Sequence, residues 1–218
     1  MILLLPFFCA LVTAGAAYWA AGPSLGLIIG GYLAVSVLVP PFVASQDCIK
    51  KRIASSAAIV AGVAAVWLTL LGSNRASAVE WIEVTLVLSA SAILLTAIAS
   101  LCRRVGLSIG VTAAICTSLS IAWITWPLWL SAPMSNGAIS STAVAWLLRF
   151  HPILLSNGIL TFTPPWTEQT IAYQLSILNQ DVPINLPTNP SWFIGSAVIL
   201  GGIALALVRR RIVRLAND

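Results

Sequence analysis

The chain has 218 residues, of which 59% are hydrophobic and only 8% are charged, and its formal net charge is +5. A soluble domain usually carries about a quarter charged residues, so these charges are too few to cover a water-facing surface. The composition excludes an ordinary soluble domain. The basic residues form no continuous stripe, which excludes a nucleic-acid surface.

Six apolar runs are long enough, or nearly so, to cross the roughly 30 Å hydrocarbon core of a bilayer as helices. In chain order they are residues 2–20, 24–44, 54–72, 82–101, 107–130 and 192–208. The predicted fold is all-α: a polytopic membrane helix bundle that forms one domain over residues 1–218. The first run could instead be a cleaved signal peptide, but it lacks a positive n-region and is longer than a typical signal core.

Nine of the eleven Lys and Arg residues form three clusters at the ends of these runs. The clusters are Lys50-Lys51-Arg52, Arg103-Arg104, and Arg209-Arg210-Arg211 with Arg214. Short loops rich in Lys and Arg stay on the cytoplasmic side of a membrane. The pattern therefore predicts a multi-pass protein of the cell (inner, cytoplasmic) membrane, with both termini cytoplasmic and residues 131–191 outside.

Tryptophan and proline add two local predictions. Indole rings favour the membrane interface, and six fall at the run ends that this orientation places outside: Trp19, Trp67, Trp81, Trp126, Trp129 and Trp192. This predicts a one-sided aromatic belt. Pro40 and Pro41 predict that the second helix kinks or stops there, as a span end or alternatively as a hinge.

Several features bear on the class of membrane protein. No ionisable residue lies in the middle of any run, which argues against ion-coupled carriers. Small residues in the second, third and sixth runs predict close helix packing, within the chain or in a homodimer. The four cysteines show no Cys-x-x-Cys spacing, and a single His excludes a multi-His metal or haem site within this chain, so we expect no cofactor.

The outer segment 131–191 has the most room for recognition. Its pattern predicts a short helix at 139–150 that ends before Pro152. The apolar stretch 153–162, interrupted by Ser156-Asn157-Gly158, is too short to span and predicts an interfacial or re-entrant hairpin. A further helix is predicted near 167–179, with Thr167 as its N-cap. The candidate outer site comprises Arg149, His151, Pro152, Trp166, Glu168, Tyr173 and Asp181.

His151 has two interpretations. Near Arg149, and with Glu168 or Asp181 as partners, it could act as a proton donor or a pH sensor. Alternatively it caps the C-terminus of the preceding helix by bonding a carbonyl, which is the more usual role of such a residue. No nucleophile or metal partner is identified by spacing, so the sequence does not predict an enzyme.

The layout resembles the small permease subunits of ABC exporters, including the cytochrome-c-maturation permeases. The resemblance covers the whole chain, rests on six spans in about 220 residues with both termini inside, and includes no specific motif. It implies that residues 45–52, Ser45-Gln-Asp-Cys-Ile-Lys-Lys-Arg52, engage a cytoplasmic ATPase. It also implies that residues 150–158, Phe150-His-Pro-Ile-Leu-Leu-Ser-Asn-Gly158, form a re-entrant cap. The chain departs from this family in lacking an amphipathic helix before the first span.

Three hypotheses for function follow. The first is a non-enzymatic permease subunit, a homo- or hetero-oligomer in the lipid bilayer, with ATPase contacts at Asp47, Lys50, Lys51, Arg52, Arg103 and Arg104. Since the chain has no Gly-x-x-x-x-Gly-Lys motif, energy would come from that partner. The second is an accessory or scaffold subunit of a larger membrane complex that docks through 131–191. The third is an outer-leaflet enzyme that modifies lipids and uses His151.

Overall fold

The computed structural model describes residues 3–21, 25–129, 140–161 and 186–215, which form eight α-helices and no strand. The long helices come first: α1 (Leu4–Ala21), α2 (Leu25–Ala44), α3 (Ile49–Gly72), α4 (Ala78–Arg104) and α5 (Ile109–Trp129). The others are α6 (Ser141–Arg149), α7 (Pro152–Ile159) and α8 (Ser191–Leu215). The predicted all-α class is confirmed for this part of the chain.

Four helical segments are long and apolar enough to cross a membrane: Gly26–Ala44, Ile49–Gly72, Ala78–Arg104 and Ile109–Pro127. The segments Leu4–Ala20 and Ser191–Leu207 are apolar but shorter. A helix satisfies its backbone polar groups internally, which is the requirement that hydrocarbon imposes. The chain is therefore compatible with a multi-pass membrane protein. Three helices extend beyond the predicted runs: α3 begins at Ile49, α4 ends at Arg104 and α8 ends at Leu215, so each contains a basic cluster.

The core lies where α2, α3 and α4 meet. Helix α2 contacts α1, α3, α4, α5 and α7, and α4 contacts α2, α3, α5, α7 and α8. The buried apolar side chains of these helices form one continuous cluster that includes Leu27, Val35, Val63, Trp67 and Leu88. Since α2 and α4 each contact five helices, they position the remaining elements.

Glycines allow two of the helix contacts. A Cβ at Gly31 would overlap the Trp67 ring and lie 2.8 Å from Val63 Cγ1. A Cβ at Gly62 would lie 2.6 Å from the backbone oxygen of Phe7 on α1. These small residues therefore serve packing within the chain, the first of the two predicted alternatives.

The prolines of α2 do not end that helix. It continues through Pro40 and Pro41 to Ala44, and the Ser45 N–H donates to the Pro41 carbonyl at 3.1 Å. The helix ends at Ala44, the end of the predicted run, and the prolines lie within its last five residues, which supports the span-end interpretation. Each proline removes one intrahelical bond, but so close to the helix end the loss leaves the rest of the helix intact.

The predicted aromatic belt divides into exposed and buried tryptophans. Trp19 is 89% exposed and Trp192 is 61% exposed, as an interfacial position requires. Trp67 is fully buried and Trp126 is 5% exposed. The Trp67 Nε1–H donates to the Leu27 carbonyl at 3.4 Å, so a partner inside the bundle satisfies it. For Trp67 and Trp126 the belt prediction was wrong: they belong to the interior. The side chain of Trp129 lies outside the described residues.

Candidate functional site: the buried hairpin and the basic end

The buried hairpin, residues 140–161, is built from α6, a turn at 150–151 and α7. The Ser140 side chain caps α6 by accepting a hydrogen bond from the Ala143 N–H at 3.2 Å. Pro152 occupies the first turn of α7, where its missing N–H has no helical partner to lose. The short helix predicted at 139–150 is confirmed as α6. Helix α7 runs through Ser156 and Asn157 without the predicted interruption, because buried partners satisfy polar side chains there.

His151 joins α6, α7 and α5. It is the N-cap of α7, where its Nδ1 accepts from the Leu154 N–H at 3.1 Å. Its Nε2 lies 2.8 Å from the Ile124 carbonyl oxygen of α5. A carbonyl only accepts, so Nε2 carries the proton and the ring is neutral. Of the two interpretations the structural one is supported, but the ring caps the start of α7 rather than the end of α6.

The surroundings of His151 keep the ring neutral. The side chain is 1% exposed, and the Trp126 ring meets it edge to face with centroids 5.6 Å apart. Burial lowers the pKa of His151 to about 4, against the opposing effect of its hydrogen bond to Ile124. With both nitrogens bonded, His151 offers no exposed nitrogen to a substrate, so the geometry does not favour the lipid-modifying enzyme.

A second polar contact holds α7 against α2. The Tyr32 hydroxyl and the Ser156 Oγ lie 2.7 Å apart and are both buried. Seven of the eight α7 residues are buried, Gly158 being the exception. A Cβ at Gly158 would overlap the Pro187 carbonyl, so glycine is needed where the chain passes across this helix. Helix α7 is thus enclosed by the bundle, whereas much of α6 is exposed.

Glu80 ties the end of the hairpin to α4. Its Oε1 accepts from the Thr161 N–H at 2.9 Å and from the Thr161 hydroxyl at 2.7 Å. Its Oε2 accepts from the Ser77 N–H at 2.7 Å, while the Ser77 hydroxyl accepts from the Glu80 N–H at 3.2 Å. One carboxylate therefore completes the capping box of α4 and also holds the segment that leaves α7.

The basic end lies at the opposite end of α3 and α4 and consists of Lys50, Lys51, Arg52, Arg103 and Arg104 with the adjoining loops 45–48 and 105–108. Two of these arginines hold the adjoining loops in place through hydrogen bonds to backbone carbonyls. The Arg52 Nε donates to the Gln46 carbonyl at 2.8 Å, and Arg52 is 8% exposed. The Arg103 Nη1 donates to the Leu107 carbonyl at 2.6 Å. The structure therefore gives Arg52 and Arg103 structural roles among the predicted partner contacts.

The other predicted contacts at the basic end are more accessible. Lys50, Lys51 and Asp47 are exposed, and Arg104 is half-buried. Lys50 and Lys51 lie in the first turn of α3, and Cys48 is its N-cap. The backbone N–H groups of Lys50 and then of Lys51 lower the pKa of the exposed Cys48 thiol, since they stabilise its thiolate. This end therefore presents positive charge to its surroundings.

The outer aromatic patch consists of Trp146, Arg149 and Trp192. The Trp146 and Trp192 rings meet edge to face with centroids 6.3 Å apart, and the Arg149 guanidinium carbon lies 4.8 Å from the Trp146 ring centroid. Both tryptophans are substantially exposed. Arg149 therefore pairs with an aromatic ring, and the hydrogen bonds of the His151 ring go to Ile124 and Leu154 instead. The remaining predicted outer residues, Trp166, Glu168, Tyr173 and Asp181, and the helix near 167–179, lie outside the described residues.

Sequence reasoning did not identify Glu80, Tyr32 or Ser156. The Ser77-x-x-Glu80 spacing before an apolar run is a capping-box signature and would have placed Glu80 at the start of α4. A tyrosine inside an apolar run needs a hydroxyl partner when it is buried, although its identity is not local information. Within the described ranges, no group of three His, Cys, Asp or Glu residues is placed to hold a metal ion.

Comparison with known proteins gives no relative. No protein-family model matches the chain, and no curated protein and no solved structure matches it significantly. The hairpin, the basic end and the aromatic patch are therefore the features of the molecule that indicate its function.

Proposed function

We propose that this chain is the membrane-embedded, permease-like subunit of an ABC-type export system and works with a separate cytoplasmic ATPase. The observation that carries the proposal is the buried hairpin. The residues that the structure describes between the fifth and the last long helix include two short helices, which are fastened to α2, α4 and α5 through Ser156, Thr161 and His151. A helical segment at residues 150–158, between the last two spans, is what the permease resemblance implies.

In this proposal α1 to α5 and α8 cross the membrane, and α7 is a re-entrant cap between the last two spans. Helix α1 has 18 residues and a length of about 27 Å, close to the roughly 30 Å of hydrocarbon. The cap carries hydroxyl and amide groups, and internal hydrogen bonds such as Tyr32–Ser156 offset the free-energy cost of burying them. The basic end then faces the cytoplasm, and both termini lie on that side.

The ATPase would dock at the basic end. The connection between α2 and α3 has only four residues, 45–48, so the contact surface is the first turn of α3 together with the 105–108 turn. Lys50 and Lys51 are the exposed cations of that surface, whereas Arg52 holds the Gln46 carbonyl. A test of docking should therefore change the lysines and leave Arg52 in place.

The test compares Lys50→Glu/Lys51→Glu with Arg75→Glu, which changes an exposed residue at the other end of α3. Full-length protein is purified from its own membranes in mild detergent, and vanadate-sensitive ATP hydrolysis is measured in the captured fraction. Rim charges each contribute about 1 kcal/mol or less, so the double reversal should lower the captured activity about tenfold or more. Arg75→Glu should leave the captured ATPase activity unchanged. No captured ATPase, or equal activity on both variants, would reject the proposal.

One observation favours a second function, a scaffold subunit of a larger membrane complex. The outer aromatic patch exposes two large rings beside a cation, and Trp and Arg are enriched at the centres of protein interfaces. Trp146→Ala/Trp192→Ala should then release partner proteins while the captured ATPase activity is unchanged. If that variant keeps every partner that the wild-type protein captures, the scaffold function is rejected.

A further inference from the structure

A groove of about 520 Å³ runs between α3, α4 and α8 and has no role in the export proposal. Its floor and walls are apolar or small, and its lining includes Ile53, Ala61, Ala92, Ile93, Val198 and Gly202. Ile53 is 48% exposed, Ile93 is 36% exposed and Val198 is 53% exposed. The groove is therefore open along the side of the bundle, where hydrocarbon surrounds a membrane protein.

The dimensions of the groove indicate what fills it. It extends from Ile53 to Ala64 on α3 and from Thr85 to Thr96 on α4, a length of about 16 Å at 1.5 Å per residue. That is about half of the roughly 30 Å hydrocarbon core, or one leaflet. An apolar groove of this length matches the acyl chain of a lipid in one leaflet, whereas a membrane-spanning helix of a second copy would extend over the full thickness.

The basic end lies beyond one end of the groove. Lys50 precedes Ile53 by three positions on α3, and Arg104 follows Thr96 by eight positions on α4. Positions three, four, seven or eight apart share a helix face. Both α3 and α4 therefore place a basic residue in line with the groove.

From this arrangement we infer a binding site for an anionic phospholipid. Its acyl chain lies in the groove between α3, α4 and α8, and its phosphate headgroup lies against Lys50 and Arg104. The headgroup end belongs to the leaflet at the basic end, because the groove reaches that end at Ile53. Charge complementarity selects an anionic lipid over a zwitterionic one, since each nearby Lys or Arg attracts an anionic lipid surface.

The chain offers matched variants for the acyl part of the site. A Cβ at Gly202 and a Cβ at Gly195 would each meet no atom within 4 Å, but only Gly202 lines the groove. Gly202→Leu therefore fills the groove, and Gly195→Leu adds the same side chain elsewhere on α8. Ala61→Leu fills the groove from α3 and replaces Gly202→Leu if that variant loses helical content or elutes as an aggregate.

The measurement is native mass spectrometry of the full chain in detergent with equimolar dioleoyl phosphatidylglycerol and dioleoyl phosphatidylcholine. The wild-type protein should retain phosphatidylglycerol. Gly202→Leu, which overfills the groove, should lower the abundance of the phosphatidylglycerol adduct about tenfold. Gly195→Leu should leave it unchanged. Lys50→Gln and Arg104→Gln should each lower the preference for phosphatidylglycerol about fivefold, with Arg75→Gln as control.

Three results would overturn the inference. The first is a phosphatidylglycerol adduct that is equally abundant in the Gly202→Leu and Gly195→Leu proteins. The second is a wild-type protein that binds both lipids equally, or a preference that Lys50→Gln and Arg104→Gln leave intact. The third is a dimer of the wild-type chain that Gly202→Leu dissociates, since the groove would then hold a second copy.

Discussion

The neutral state of His151 gives a prediction that follows from the geometry of the hairpin. The ring donates to the Ile124 carbonyl and accepts from the Leu154 N–H, so a second proton on Nδ1 would break the cap of α7. Burial lowers the pKa of His151 from the model-peptide value of 6.5 to about 4. The opened hairpin therefore binds a proton at a higher pH than the folded hairpin does.

The direction and the size of the effect follow from this difference. The stabilisation is fully present above about pH 6.5 and is lost as the pH falls towards about 4. Between about pH 7.5 and about pH 5, linkage with these two pKa values removes about 2 kcal/mol from the free energy of unfolding. Asp and Glu residues also titrate in acid, so wild-type protein alone would not isolate the effect of His151.

The assay uses His151→Asn as the reference protein. Asparagine can still cap α7 but does not titrate, and every carboxylate contributes equally to both proteins. Free energies of unfolding are measured by denaturant titration in mild detergent at each pH. The difference between wild-type and His151→Asn proteins should shrink by about 2 kcal/mol on acidification. An unchanged difference would show that His151 is not a buried neutral cap, and the reasoning would fail.

Two further predictions concern the clamp at Glu80 and the packing at Gly31. Glu80→Gln weakens hydrogen bonds to a charged acceptor, each worth about 1.5–3 kcal/mol, so the Thr161 amide should exchange with deuterium about tenfold faster. Glu83→Gln is the control, and equal exchange in both variants would show that Glu80 does not hold Thr161. Gly31→Ala should lower the free energy of unfolding by about 2 kcal/mol through overpacking. The control Gly72→Ala adds a Cβ in open space and should not destabilise, and a Gly31→Ala protein as stable as that control would contradict the packing.

Much of the fold could be predicted from the sequence, because the residues that favour, begin or end a helix lie close together in the chain. Long apolar runs place α2 to α5, and the apolar periodicity with Pro152 places α6 and its end. Pro40 and Pro41 lie close to the end of α2 at Ala44, where the predicted run also ends. In each case the start or the end of a helix depends on residues within one or two turns of it.

The candidate site was less accessible, because its contacts join distant parts of the chain. His151 bonds a carbonyl 27 positions away, Thr161 bonds a carboxylate 81 positions away, and Tyr32 meets Ser156 across 124 positions. Local spacing does not specify such pairs, since they exist only once the helices pack. The sequence could propose His151 for a site but not its tautomer or its burial.

By itself, then, the sequence determined that the chain forms long apolar helices with cations at their ends, because hydrophobicity and charge act residue by residue. Tertiary structure decided which polar side chains form hydrogen bonds inside the bundle and which remain exposed. It buried Trp67 and left Trp19 exposed, although both are tryptophans at run ends. The physical reason is that burial depends on which helix faces meet, and Gly31 opposite Trp67 makes room for a ring that its position at a run end would place at the membrane interface.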